Sequence, residues 1–466
     1  MKWGGFLYLK LREIKNICNG ELYCENPEFS VDSFSIDTRT ITKGDVYIGI
    51  KGENFDGNLF YEEAFAKGAS AVILDRKRDN KLAKISKPVI LVKDTKLAMA
   101  RLASHLLEEK KNPVIAITGS VGKTSTRDMI HAVLSKKYNA LKSLKNYNND
   151  IGMPLSILNI KNHNAVVLEM GMNNLGEIAY LSKIAKPSIA IITSIAPVHI
   201  ENLGTMENIL RAKLEILEGL RDDGIFIFNN DNEYLRRADI INRSVLTCGI
   251  NNISDLQVIG IDENTFQVLY KKEKMEFNHN NLTKPFIQNM LFAIASGILL
   301  DVPFESIKEA LENFDLTEGR LEKIELNNEI LLINDAYNAS SESMKNAIDY
   351  LKKQRGKNKI AILGNMRELG GYSKLLHSEV GKYIEANKID YLLTVGSDAK
   401  FIYDNTYVPK KHFKTKEEIY PFLDDFFQPE DTVIVKASNG EKFDEIVTFI
   451  KEKYAKSTDS TLKLKK

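Results

Sequence analysis

Residues 114–130 read VIAITGSVGKTSTRDMI: an apolar β-branched run, a turn framed by Gly119 and Gly122, then Lys123, Thr124 and a helical stretch. That order suits phosphate chemistry. Glycines let backbone N–H groups approach an anion at a helix N-terminus, a lysine neutralises β- and γ-phosphate oxygens, and a threonine hydroxyl ligates Mg²⁺. Gly119, Ser120, Val121, Gly122, Lys123, Thr124 and Ser125 are therefore candidate ATP ligands. The loop is shorter than the general G-x-x-x-x-G-K-[ST] form, which places a glycine at position 117, here Ile117.

Other candidates follow later apolar runs. Glu169 closes AVVLE and enters the loop MGMNNLGEI, where a carboxylate either ligates a metal or caps a helix. His199 follows SIAIITSI, in APVHIENLG. A carboxylate and an imidazole after successive strands, beside a Mg²⁺ loop, make a second metal site an expectation. Lys213 lies on in TMENILRAKLEIL, where an ordinary helix lysine would be solvated.

The elements that must position these groups show in the pattern. From 111 to 315, buried-type runs (VIAIT, AVVLEMG, SIAIITSI, GIFIFN) alternate with helical stretches, which predicts a parallel sheet covered on both faces. Before it, residues 1–110 mix short strand-like runs at Val46–Ile50, Ala71–Leu74 and Val89–Val92 with the helical patterns YEEAFAKGA and KLAMARLASHLLEEKKN. From 316 to 466 the alternation restarts with EILLIND, KIAILGN, YLLTVG and DTVIVKAS, a second and smaller doubly wound sheet. The fold class is α/β in three domains, and ligands of such sheets sit beyond the carboxyl ends of the strands.

Length and composition agree. The chain has 466 residues, enough for about three domains on the usual prior. Its net charge of +1 provides no bulk field for nucleic acid or an anionic membrane. Cys18, Cys24 and Cys248 are scattered without metal spacing, as free thiols of a reducing compartment would be. The N-terminal MKWGGFLYLKLREIKN lacks a signal-peptide cleavage site, no run is long enough to span a bilayer, and the lysine-rich tail KSTDSTLKLKK is expected to fray. The expectation is a cytoplasmic protein.

The loop TGSVGKTST, together with NYNNDIGMPL, LEMGMNNLGEI, APVHIENLGTMENILRAK, NDAYNASSESM and LGNMRELG, resembles the Mur ligases of peptidoglycan synthesis over essentially the whole chain. The resemblance implies an ATP-dependent amide ligase with a small N-terminal uridine-nucleotide-binding domain, a central P-loop ATPase domain and a C-terminal Rossmann-like domain. It also implies the short TGxxGKT loop, which accounts for the missing glycine. Within the family, YNA after ND is similar to the member that adds D-alanyl-D-alanine to UDP-N-acetylmuramoyl-tripeptide. The sister that adds the third residue typically has a His-containing motif there and a later Asp-Asn-Pro-Arg signature, and neither is present.

Roles carried over by resemblance are these. Lys123 binds phosphate and Thr124 the first Mg²⁺, while Glu169 and His199 hold a second. Lys213 matches a lysine that is carbamylated in sister ligases. Asn289 matches the asparagine that reads the adenine edge, Arg320 an arginine facing the phosphates, and Asp335 the carboxylate on the ATP ribose, with Tyr337 and Asn338 completing that wall. Asp37, Thr38 and Arg39 centre a loop similar to the uridine-binding one, and Asn146, Asn148 and Asn149 match a loop facing the muramoyl substrate. His377 is a candidate to position groups near the attacking amine. The implied partners are small molecules, a monomer is expected, and the C-terminal domain is expected to close over ATP.

Some positions depart from the family pattern: Pro285 where His is usual, NASSES for Asn-Ala-Asn-Pro, Asn365 for Asp, and Ala437 and Asn439 for Gly and Arg. Two rivals remain at this stage. Another ligase of the superfamily (folylpolyglutamate synthetase or the tripeptide-forming sister) would keep the loop but change the IDTRT or NDAYNAS segments. A P-loop switch ATPase would need neither a uridine site nor a third domain.

Overall fold

The computed structural model describes residues 8–31, 33–75, 87–144, 146–280, 282–315 and 319–455; the lead-in at 1–7 and the tail at 456–466 lie outside the described residues. The chain forms two compact units, one of residues up to 194 with 210–280 and 288–313, the other of 195–209, 281–287 and 314 onward.

The first unit holds two large sheets and a two-stranded pairing of Leu9–Lys10 with Ser30–Val31. In the central one, Val114–Thr118, Ala165–Glu169 and Ile189–Ile192 are buried along their whole length, as their unbroken apolar runs require. Fully burying each Val or Ile there contributes about 1.5–3 kcal/mol. The strand order is Ala140–Lys142, Ala165–Glu169, Val114–Thr118, Ile189–Ile192, Ile225–Asn229, Ser244–Gly249 and Leu256–Ile261, all parallel. Glu169 pairs with Ile117 and Thr118 with Ile192, so the chain leaves these strands along one sheet edge.

The sheet is larger than the expected parallel core. It continues antiparallel through Thr265–Tyr270 and Glu273–Asn278. In the last strand, buried Met275 and Phe277 alternate with exposed neighbours, the pattern of a sheet covered on one face only.

The N-terminal sheet pairs Phe34–Ser35, Val46–Ile48, Ala71–Leu74 and Val89–Leu91 in parallel, with Glu21–Tyr23 antiparallel at the edge. Helix Thr95–Lys110, capped by Asp94 accepting from Leu97 N–H at 2.9 Å, joins the two sheets. It packs on helices Gly152–Leu158 and Glu177–Ala185, and Lys96 reaches Asp150 at 3.0 Å.

The second unit is a six-stranded sheet. Its order is Glu322–Glu325, Leu331–Asn334, Thr432–Lys436, Lys359–Leu363, Tyr391–Val395 and Lys410–Phe413. Only the first pairing is antiparallel. Adjacent strands end at Asn334, Lys436 and Leu363, so the loops carrying Asp335, Ser438 and Asn365 start side by side.

Candidate active site

The phosphate-binding loop is held from beneath by the neighbouring strand's exit. Ser120 N–H donates to the Ser194 carbonyl at 2.9 Å and Val121 N–H to Ser194 Oγ at 3.0 Å. Thr193 Oγ1 donates to the Val121 carbonyl at 2.6 Å. Two glycines make the path affordable to the backbone. Gly119 (φ +148°) has no room for a Cβ, which would lie 1.9 Å from Thr193 Oγ1. Gly122 (φ +92°) caps helix Lys123–Leu134 in the left-handed region, with Asn289 Oδ1 2.7 Å from where a Cβ would stand. Lys123 folds back so that its Nζ donates to the Gly119 carbonyl at 2.8 Å, which stations an ammonium over the loop.

Below it lies a buried polar cluster. Thr124 Oγ1 donates to Glu169 Oε2 at 2.8 Å, and Asn148 Nδ2 donates to Oε1 at 3.0 Å. Arg127 stands 3.5 Å from the same carboxylate while pairing with Asp128 at 2.8 Å, and Lys142 reaches Asp128 at 2.9 Å. Glu169 is only 3% exposed. Its carboxylate and the Thr124 hydroxyl are hard oxygen donors side by side, and among the described residues no group of three or more His, Cys, Asp or Glu side chains gathers to enclose a metal. A partial set of this kind fits Mg²⁺, which keeps several waters and leans on substrate phosphates.

Lys213 is the unexpected member of this unit. Instead of a solvated helix position it is 1% exposed. Burial, and then the positive charge of Lys123, push its pKa well below the ordinary lysine value, so its amine is driven toward the neutral form.

A cleft of about 840 Å³ opens between the N-terminal and central sheets of the same unit. Asp37, Thr38 and Arg39 line one side with Tyr47, and Leu144, Tyr147 and Lys161 line the other. Arg39 pairs with Asp37 at 2.6 Å, and that hydrogen-bonded guanidinium holds the Asp37 carboxyl below its usual range. Thr38 Oγ1 donates to Glu63 at 2.9 Å. Of the three asparagines expected to face this substrate, Asn148 turns to Glu169, Asn149 accepts from Gly152 N–H at 2.8 Å to start a helix, and Asn146 is exposed. Tyr147, between them, is the cleft-lining residue.

Asn289 sits on helix Lys284–Leu299, and its Oδ1 accepts from Thr126 at 3.1 Å, against the phosphate loop's own helix.

In the second unit, Lys436 Nζ donates to Asp335 at 2.7 Å and to the Asn338 carbonyl at 2.9 Å. Burial pushes the Asp335 carboxyl above its ordinary range, against the smaller opposing pull of Lys436 and Arg320. The Arg320 guanidinium lies 4.1 Å from the centre of the Tyr337 ring, so three of the expected nucleotide residues share one wall. Asn338 Oδ1 accepts from Ala339 N–H at 2.9 Å. His199, left-handed at φ +59°, faces the Glu368 carboxylate with Nδ1, outside hydrogen-bond alignment. It thus belongs to the second unit, whereas Glu169 belongs to the first.

His377 is a structural residue. It is fully buried, accepts from Met366 N–H at 2.9 Å, and Nδ1 meets the Ser373 carbonyl at 2.8 Å. Burial lowers its pKa. Asn365 earns its amide: Oδ1 accepts from Asp398 and Ala399 N–H at 3.0 and 2.9 Å while Nδ2 donates to Glu441 at 3.1 Å, a donation no aspartate makes. Lys436, Thr193, Ser194 and Arg127 escaped the sequence reading. Lys436 closes the run TVIVK, and a lysine ending a buried strand was the available signal.

Residues 30–106 match the model of the Mur ligase family catalytic domain, 117–297 the Mur ligase middle domain, and 319–439 the Mur ligase glutamate ligase domain. A UDP-N-acetylmuramoyl-tripeptide–D-alanyl-D-alanine ligase of Bacillus subtilis (strain 168) is 37% identical over 449 residues, 94% of this chain and 97% of that protein. A crystal structure of MurF from Acinetobacter baumannii superposes with a TM-score of 0.89 at 28% identity, covering 96% of this chain and 99% of that one. The MurF ligase of Thermotoga maritima in complex with ADP gives 0.81 at 26% identity, over 91% and 98%.

Proposed function

Since the chain belongs to the Mur ligase family, we propose that it joins D-alanyl-D-alanine to UDP-N-acetylmuramoyl-tripeptide at the expense of ATP, in the synthesis of peptidoglycan precursors. One observation carries the choice of substrates: the 37% identity with the Bacillus subtilis ligase runs through 94% of this chain. The phosphate loop, the buried Thr124–Glu169 pair and the cleft beside Arg39 are what such a reaction requires of the first unit. In this reading residues 1–110 take the uridine nucleotide, 111–315 take ATP, and 316–466 complete the nucleotide wall and receive the dipeptide. The enzyme acts as a cytoplasmic monomer; no described helix is long and apolar enough to cross a membrane.

A carboxylate does not condense with an amine at neutral pH, because its oxygen is a poor leaving group. An oxygen of the tripeptide carboxylate attacks the γ-phosphorus of ATP, the bond to the ADP oxygen breaks, and an acyl phosphate results. The neutral amine of D-alanyl-D-alanine then adds to the acyl carbon. The tetrahedral adduct loses its proton from nitrogen, the C–O bond to phosphate breaks, and inorganic phosphate leaves with one former carboxylate oxygen. Lys123 offsets charge on the transferring phosphoryl group, and the loop amides fix its position. Thr124 and Glu169 would hold Mg²⁺, with His199 proposed for a second ion; bound there, the metal supplies further neutralisation of phosphate charge.

Lys213 fits carbamylation. The neutral amine that burial favours is the form that adds to CO₂; nitrogen loses a proton and a carbamate anion forms within the field of the Lys123 cation. The acyl-phosphate route has a direct test. Tripeptide labelled with ¹⁸O in its terminal carboxylate should pass label into the released phosphate; unlabelled phosphate would overturn it.

A further inference from the structure

Arg367 is the one arginine in the loops that leave three adjacent strands of the second sheet, at 335–340, 364–372 and 437–442. Lys359–Leu363 and Thr432–Lys436 run parallel, so the loops after Leu363 and Lys436 open side by side, where such sheets take their ligands. Hydrogen bonds join the two loops. Arg367 N–H donates to Ser438 Oγ at 2.9 Å, and Ser438 N–H donates to the Asn365 carbonyl at 3.1 Å. Glu441, its side chain 12% exposed, is held on both oxygens. Asn365 Nδ2 donates to Oε2 at 3.1 Å, and Arg367 Nε donates to Oε1.

That contact takes one of the five guanidinium N–H donors and fixes the plane of the group. Among the described residues the terminal Nη1 and Nη2 groups have no partner, and the side chain is 62% exposed. An exposed ion pair contributes only about 0–1 kcal/mol to stability, so the fold has little need of it. A guanidinium oriented from behind, with its fork open, is a receptor for a carboxylate, which it takes in a bidentate pair. Its place narrows the source of that carboxylate. Ser438 Oγ also lies 3.4 Å from the Ala339 carbonyl, next to Asn338, whose own carbonyl Lys436 holds. The fork therefore stands beside the nucleotide wall without being part of it. The incoming dipeptide must turn its amine toward the transferred phosphoryl group, which leaves its carboxylate at the far end of the molecule. We propose that Arg367 binds the C-terminal carboxylate of the dipeptide, with Glu441 and Asn365 as the positioning residues that aim it. Position 439, where arginine is usual in the family, is Asn439 here, so the cation for this task comes from the neighbouring loop. The inference rests on the reading of this chain as a dipeptide-adding ligase and deepens it at the acceptor end.

The test compares the full-length chain with Arg367→Gln, Arg367→Lys and Glu441→Gln, each given D-alanyl-D-alanine or its C-terminal amide. In Arg367→Gln the KM for the dipeptide should rise roughly thirtyfold, the scale of hydrogen bonds to a charged group, with the KM for ATP unchanged. The unaltered chain should disfavour the amide by a similar factor, and Arg367→Gln should no longer tell the two apart. Arg367→Lys should restore part of the discrimination, and Glu441→Gln should weaken it. Tm should fall by no more than a few degrees in the Arg367 variants, since the side chain is exposed. An unchanged dipeptide KM in Arg367→Gln, or an equal rise for dipeptide and amide, would overturn the proposal. A rise in the KM for ATP alone would assign the fork to nucleotide phosphate and overturn it as well. An unaltered chain that joins no dipeptide at all would instead sink the reading of the reaction from which the inference starts.

Discussion

Lys123 is bound to the loop it serves, its ammonium on the Gly119 carbonyl, so its loss should change charge more than shape. Lys123→Ala should cut turnover on the order of a hundredfold or more, the scale of one preorganised electrostatic contact. Binding of the uridine-linked substrate, measured by calorimetry, should persist because that cleft is built from other residues; joint loss of both would mean global damage. Lys213 behaves oppositely. Its folded pKa lies well below that of an exposed lysine, so between the two values the unfolded chain binds the extra proton and stability falls as pH is lowered through that window. In CO₂-free buffer, where the amine is unmodified, Lys213→Met should therefore raise Tm at neutral pH and flatten the alkaline-side slope, and the variant should not ligate. A lower Tm would contradict the buried-amine account. Residues at strand ends were legible because the buried runs announce them: Lys123, Thr124 and Glu169 follow that rule. The contacts of Asn148 with Glu169, of Lys436 with Asp335 and of His199 with Glu368 join positions far apart in the chain, and no local period encodes such meetings.

Among elements, the phosphate loop is the most constrained. Gly119 combines a positive φ with contact to Thr193 that leaves no space for a methyl group. Gly119→Ala should destabilise the protein by about 1–3 kcal/mol and weaken ADP binding together, as read by chemical denaturation and calorimetry. Unchanged stability would mean that the loop does not need this backbone conformation. The parallel core strands could be predicted from unbroken apolar runs, whereas their order, with Val114–Thr118 between Ala165–Glu169 and Ile189–Ile192, is set by tertiary pairing that no run encodes. The antiparallel strands Thr265–Tyr270 and Glu273–Asn278 were harder to read. Their alternation is short, half polar and supported on one face, so tertiary pairing and not sequence period defines them.

For the whole molecule, the central demand is that three substrates meet one chemistry. The N-terminal and central sheets share a cleft within one compact unit, while the Asp335–Lys436 wall belongs to the other. The three-domain α/β organisation was visible in the restarting alternation of strands and helices. The division into two units was not, because residues 195–209 and 281–287 leave their sequence neighbours to join the second. The measurement that bears most directly on the account is phosphate release by the purified protein with ATP, Mg²⁺ and UDP-N-acetylmuramoyl-tripeptide, with and without D-alanyl-D-alanine, with the product weighed by mass spectrometry. Sustained release that requires both acceptor and donor, with a pentapeptide product, is the predicted result. Release that ignores the dipeptide, or a product lacking its two residues, would contradict it.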